Sequence, residues 1–334
     1  MRRPYRAIAL LSAVGCFSGL SLAGEAPKPA DEGPKPVKST GLVNIVGAYC
    51  KEKGLRIDVK GRETPGHVMI LLVGGASYAP ADKTIEAANT ALKALDVWTG
   101  SQGVFFGPEG DMGFHYVMVL FQGSAQFGAF VDWLREKKVL PAPGGHEDLI
   151  KKLDNFNGPR SIITTAEKAA RAPANFAIHS ITGSAIAAFF RERGKASLPN
   201  WVVCGLSADL QRLVTKKVLW SSISYEMSSP DMRGSWSMDV ASMIRRRDKD
   251  FRPARLVMNF SLISLPGKHY KLMWSLNTMM VRSAGNKKGR DNKYLMLLEE
   301  IAKGTSSEDA VKKVYGIKDP QLTQQWFGWA QSQR

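Results

Sequence analysis

Two uninterrupted apolar runs, VMILLV at 68–73 and YVMVLF at 116–121, constrain the fold more than any other feature. Neither alternates with polar residues, so each predicts a central strand rather than one with a wet face. Between them, residues 81–98 carry Ile85, Ala88, Leu92 and Leu95 at three- and four-residue steps, which predicts a helix. Residues 127–138 put Phe127, Phe130, Val131 and Leu134 on one helical face. Before the first run, Leu55, Ile57 and Val59 alternate with Arg56, Asp58 and Lys60, the pattern of a half-buried strand. Strand, helix, strand, helix in that order predicts a small mixed sheet covered by helices.

From about Thr165 the pattern turns helical. Residues 175–193 place Ile178, Ile181, Ala185 and Phe189 inward, and residues 198–213 predict a second helix with Trp201 near its start. Residues 219–227 and 256–265 read as strands separated by polar sequence. Helices are expected over 269–281 and 292–302, with Gly304 ending the second. Thr305 and Glu308 predict a capping box for a short helix that ends at Gly316. Asp319 and Pro320 predict the start of the last helix.

The first stretch reads as a leader. Arg2, Arg3 and Arg6 precede an apolar run over 7–23, and Ser21, Leu22 and Ala23 offer a small-residue cleavage site. Cleavage after Ala23 or Gly24 is the preferred reading. An uncleaved anchor and lipid attachment at Cys16 are the alternatives. Residues 25–40 hold Pro27, Pro29, Pro34 and Pro36 and predict an extended linker. The expected organisation is therefore a signal peptide (1–23), a linker (24–41), an α/β half (42–160) and a helical half (161–334). Export to the periplasm or the outside follows, with no transmembrane helix left after cleavage.

Charge bears on partners. The 334 residues carry 46 Lys and Arg against 30 Asp and Glu, a formal +16. Loss of the leader removes three Arg and no acid, which leaves +13. Arg245, Arg246, Arg247, Lys249, Arg252 and Arg255 form one basic run, and Lys287, Lys288 and Arg290 another, both expected in loops. A solvated face is the ordinary reading of such runs, and an anionic envelope polymer or lipid headgroup is the functional one. Export argues against nucleic acid, and no nucleic-acid motif is present. Only Cys50 and Cys204 remain in the mature chain, so no disulfide framework holds it, although the two could pair.

One constellation carries chemistry. His179, Ser180 and Gly183 sit on the 175–193 helix, and Leu198-Pro199-Asn200-Trp201-Val202-Val203-Cys204-Gly205 follows on the next. This pairing resembles the active-site region of gluzincin metallopeptidases, in the peptidase-MA-like family of secreted bacterial proteins. Those proteins carry His-Glu-x-x-His on a helix, then a Pro-x-Trp-x-x-Glu-Gly segment whose Glu is the third zinc ligand. Two His at i and i+4 share a helix face and grip Zn²⁺, and the Glu after the first takes a proton from metal-bound water. By this resemblance His179 matches the first ligand, Ser180 replaces the base, Gly183 replaces the second His, and Cys204 replaces the third ligand. Pro199, Trp201 and Gly205 are kept. Tyr270 resembles the Tyr that begins a helix behind the site, on the oxyanion side. Gly304, Ser307, Ala310, Tyr315, Gly316 and Trp326 resemble the family's tail. The resemblance spans roughly residues 66–332.

The resemblance implies an α+β, zincin-like fold: an N-terminal mixed sheet with helices, then a mainly helical C-terminal half, with a peptide cleft between. It also implies lost catalysis, since Ser is no base near neutral pH and Gly donates nothing to a metal. Zinc is expected to be absent and no catalytic residue is expected. The leading expectation is an inactive peptidase homologue that binds or scaffolds a protein or peptide in the cleft. The alternatives are a hydrolase built on Cys204 and His179, a rebuilt metal site that adds His269, and a polyanion binder. For Cys204 the plainer reading is a buried inert thiol.

Overall fold

The computed structural model describes residues 40–61, 67–101, 103–107, 115–139, 151, 154–194, 198–218, 236–249, 251–260, 267–285 and 287–332. The predicted leader and most of the linker lie outside these residues, as does the strand expected over 219–227. No helix among the described residues is long and apolar enough to cross a membrane.

The architecture is mixed α/β, with one small mixed sheet in the N-terminal part and helices after it. Helix α1 (Thr40–Lys53) leads to β1 (Ile57–Lys60) and β2 (Val68–Val73). Then come α2 (Ala81–Thr99), β3 (Tyr116–Phe121) and α3 (Ser124–Glu136). Strands β4 (Asn155–Gly158) and β5 (Ser161–Thr165) complete a sheet of order β1-β2-β3-β5-β4. Its centre, β2, β3 and β5, is parallel, and both edge strands are antiparallel.

The apolar runs are explained by burial on both faces. Val68, Ile70, Leu72, Tyr116, Met118 and Leu120 point into the larger core with α2 and the later helices. Met69, Leu71, Val73, Val117, Val119 and Phe121 point into a second core under α1 and α3. Cys50 lies in that second core and Cys204 in the first. Both are free thiols, so the two do not pair.

Helices α4 (Ala166–Ala170), α5 (Pro173–Arg191) and α6 (Asn200–Thr215) follow the sheet. Next are α7 (Trp236–Arg245), α8 (Ala254–Met258), α9 (Gly267–Ala284), α10 (Lys293–Ala302), α11 (Ser307–Tyr315) and α12 (Asp319–Ser332). The β4–β5 hairpin is pinned to α5. Its turn residue Arg160 has φ 56°, a left-handed conformation that an L side chain adopts at a cost. The buried guanidinium meets Glu192 just past α5 at 3.0 Å and lies over the Tyr116 ring. Ser184 of α5 also donates to the carbonyl of Gly158, at 2.7 Å.

The tail residues that carry the resemblance join the helices together. Trp201 donates its indole N–H to Ser307 at 3.1 Å, Trp326 donates to Ser275 at 2.9 Å, and Tyr315 donates to the Met280 carbonyl at 3.1 Å. Gly316 closes α11 with φ 74°. Each buried polar tip thereby finds a partner.

Several expectations need correction. Residues 254–258 are a helical turn where a strand was expected over 256–265. Ala254, Val257 and Met258 are buried and Arg255 and Leu256 are exposed, a spacing only a helix gives. Thr323 and Asp319 of α12 accept the N–H groups of Ala254 and Arg255 that start the turn. The cap of α11 is Ser306, which accepts from the Asp309 N–H, one residue later than the predicted Thr305–Glu308 box. The polar segment before the Arg run contains α7, whose Trp236, Val240, Ala241 and Met243 are buried. The sheet also extends through Thr165, past the expected boundary at 160.

Candidate relic active site

Helices α5, α6 and α9 bring the matched residues into one neighbourhood. His179 is half-buried at the middle of α5, because the sequence around it is apolar on nearly every face and the helix is enclosed. Its Nδ1 lies 2.7 Å from Ser207 Oγ on α6. Burial pushes its pKa down to about 4, so the imidazole is neutral at neutral pH.

Of the other positions, Ser180, Cys204 and Tyr270 are buried, and Gly183 and His269 are half-buried. Ser180 is buried and its hydroxyl makes no hydrogen bond. Gly183 leaves room: a Cβ there would meet only Val203, at an ordinary 3.7 Å. Cys204 is 0% exposed, which places its thiol beyond the reach of an external substrate. Tyr270, in the first turn of α9, is buried against Cys204 and Ser207. Burial first, and then the neighbouring thiol, raise its pKa well above the usual tyrosine range, while Ser207 pulls the other way. The hydroxyl nevertheless falls short of a well-formed hydrogen bond. His269 stacks on Phe260 with ring centroids 4.6 Å apart.

Ser207 is the residue that sequence reasoning missed. It begins a buried polar chain. Gln211 Nε2 donates to Ser207 Oγ at 3.3 Å, and Asn175 Nδ2 donates to Gln211 Oε1 at 3.2 Å. Asn175 Nδ2 also reaches Thr215 Oγ1 and the Lys217 carbonyl, both at 2.8 Å. The signal was in the sequence: Ser207 and Gln211 are polar at i and i+4 inside an apolar helix, one step and two steps past Cys204 on that face.

Gly205 has a physical reason to be glycine. A Cβ there would come within 2.3 Å of Asn277 Cβ on α9, so the two helix backbones approach too closely for any side chain. Asn277 is itself fixed, since its Oδ1 accepts from the Tyr294 hydroxyl at 2.5 Å.

The donor set does not fit the zinc that the resemblance implies. A single imidazole and a buried thiol stand where two imidazoles and a carboxylate are needed. Among the described residues no group of three or more His, Cys, Asp or Glu is arranged to hold a metal ion.

The basic run is split. Arg245 ends α7, and Arg245, Arg246, Arg247 and Lys249 are exposed. Arg252 turns back onto the carbonyls of Lys249 and Phe251. Arg255 lies in α8 rather than in a loop, with its Nε 3.9 Å from Asp319. Lys287 and Lys288 are exposed, and the Arg290 side chain lies outside the described residues. No family model, curated protein or solved structure matches this chain.

Proposed function

We propose that this chain is an exported, catalytically inactive homologue of gluzincin metallopeptidases, with a zincin-like fold, that holds a peptide or protein segment without cleaving it. The observation that carries the reading is the partner of His179. Its Nδ1 faces Ser207 at 2.7 Å, at the end of a chain of neutral polar groups, while Gly183, where an active homologue would offer the second imidazole, has no side chain. A neutral His with neutral partners neither gathers a metal nor activates water.

The sheet supports the binding half of the proposal. Strand β4 is an antiparallel edge beside β5, which leads through α4 into α5 and His179. Asn155 and Asn157 alternate along it, and the Oδ1 atoms of both are buried without a hydrogen bond. An extended segment laid along that edge would add a strand to the sheet through its main chain. A nucleophilic Cys204 is the weaker alternative, because a thiol with no exposure cannot meet a substrate.

The test takes the mature chain, loads it with zinc, dialyses it and measures metal content by mass spectrometry beside a His179→Ala, Cys204→Ala variant. The same samples are titrated into fluorescein-labelled casein peptides and followed by polarisation and by gel. The expected result is saturable binding with intact peptides and no stoichiometric zinc. One zinc per chain that disappears in the variant, or zinc-dependent cleavage, overturns the loss of catalysis. Absence of saturable binding overturns the peptide-holding role.

A further inference from the structure

A second site lies on the same pair of helices and owes nothing to the relic motif. Between α6 and α9, with α2, α7 and α12 at its rim, is a half-open cleft of about 690 Å³. That volume is in the range of pockets that hold small molecules. Three tryptophans wall it: Trp98 at the end of α2, Trp274 on α9 and Trp329 on α12.

Its charges are ordered. Arg212 lies over the Trp274 ring at 5.0 Å and Arg282 over the Trp329 ring at 5.7 Å, so each guanidinium sits within cation–π range of an aromatic wall. Lys216, one turn beyond Arg212, lines the same cleft. Asp209 sits half-buried beneath them and accepts from Trp274 Nε1 at 2.6 Å and Thr278 Oγ1 at 2.7 Å. Its carboxylate is thereby engaged with the wall and orients it. Arg212, Lys216 and Arg282 against the single carboxylate of Asp209 leave an excess of two positive charges in the lining.

From this geometry we infer that the Trp98–Trp274–Trp329 cleft binds a phosphate monoester of a ring-bearing alcohol, with the phosphoryl group on Arg212, Lys216 and Arg282 and the ring against the tryptophans. A phosphate monoester carries between one and a half and two negative charges near neutrality, which matches the excess, roughly −1.5 to −2 against +2. Planar guanidinium groups match phosphoryl oxygens better than ammonium groups do. The ring requirement comes from the three indoles, which a bare inorganic anion would leave unused.

The probe is phenyl phosphate, titrated into the mature protein and followed by tryptophan fluorescence and calorimetry. Inorganic phosphate, benzoate and phenol are run beside it. Saturable binding of phenyl phosphate is expected, with each of the other three about tenfold weaker or more, the scale of one lost charge-assisted contact or one lost stacked ring. Arg212→Gln and Arg282→Gln should each weaken it about tenfold, and Lys216→Gln less, while Lys51→Gln on α1 should change nothing. No saturable binding, benzoate equal to phenyl phosphate, or inorganic phosphate equal to it would each overturn the inference. So would binding that survives both arginine substitutions in folded protein, as judged by circular dichroism. Neither zinc content nor peptide binding enters this readout, so it stands or falls apart from the reading of the relic site.

Discussion

Helix α6 contributes to two interiors that differ in almost every respect. At Ser207 it meets the half-buried His179 beside the buried Cys204 and Tyr270. Two residues on, at Asp209, it opens onto a charged cleft walled by tryptophan. The same physical cause acts at both. Removal from water disfavours whichever form is charged, so the base is pushed down to about 4 and the acid up to about 6. Neighbours then decide the outcome. At His179 desolvation sets the shift, whereas Asp209 has Thr278, Trp274, Arg282 and Arg212 pulling its pKa back down. The first neighbourhood keeps its titratable group neutral near neutrality. The cleft keeps its own ionised there and surrounds it with countercharge.

The largest expected effect comes from setting these two groups against each other. The folded pKa of His179 lies below its ordinary 6.5, so the unfolded chain takes up the proton first. Its contribution to stability is present above pH 6.5 and is lost as pH falls toward 4. The folded pKa of Asp209 lies above its ordinary 3.8, so its contribution is present below about pH 4 and is lost as pH rises through about 6. Each is worth about 3 kcal/mol across its window. In the wild-type chain the two nearly cancel between pH 4 and 6.5. His179→Gln, which keeps a donor for Ser207, should grow more stable relative to wild type on acidification. Asp209→Asn should grow less stable. Urea unfolding of the three proteins at pH 7.5, 6, 5 and 4.5 reads this directly, and parallel curves for all three would break the comparison.

A smaller effect separates the α5 and α9 faces of α6 by packing. Gly205→Ala forces a methyl group into Asn277, whose Cβ would be 2.3 Å away. Asn277 cannot swing aside without releasing the Tyr294 hydroxyl, and all three residues are buried. Overpacking of this kind costs about 2 kcal/mol. The check is the midpoint of chemical unfolding. A companion Gly205→Ala, Asn277→Gly protein, which removes the opposing Cβ, should recover part of the loss beyond the sum of the single changes. A Gly205→Ala midpoint equal to wild type would mean that the helices separate freely.

Much of the fold was legible and much of the site was not. The strands at 68–73 and 116–121 match β2 and β3 residue for residue, because burial on both faces leaves a run of apolar side chains that nothing else produces. Helices α2, α5, α6 and α9 were found within a few residues because their apolar faces repeat over four turns or more. Short elements escaped. The five residues of α8 satisfy a strand pattern and a helix pattern equally well, and their state is set by Thr323 and Asp319, which lie some sixty-five residues away. Strand β5 was missed because the pattern reads as helical from about Thr165, although that residue is buried in the sheet. At the site, the motif positions were visible but their partners were not. Ser207 and Asp209 matter through residues on α5 and α9, and no local spacing announces a contact between helices.

The smallest effect concerns the glycine on the α5 side of the α5–α6 seam, Gly183. Gly183 occupies a helix interior with no positive φ to justify it, and the space over it is open as far as Val203 at 3.7 Å. Glycine in such a position costs conformational entropy that alanine does not, about 0.5–1 kcal/mol. Gly183→Ala should therefore stabilise the protein by about that amount, since a methyl at ordinary contact distance adds burial without strain. The contrast with Gly205 is the point: two glycines on facing helices, one demanded by a neighbour and one demanded by nothing in the fold. A rise in the unfolding midpoint for Gly183→Ala beside a fall for Gly205→Ala would fix the α5 side as space left unfilled and the α9 side as a true close approach. A fall for both would mean that the α5–α6 seam is as tight as the α6–α9 seam, and the difference drawn between the two interiors would then rest on charge alone.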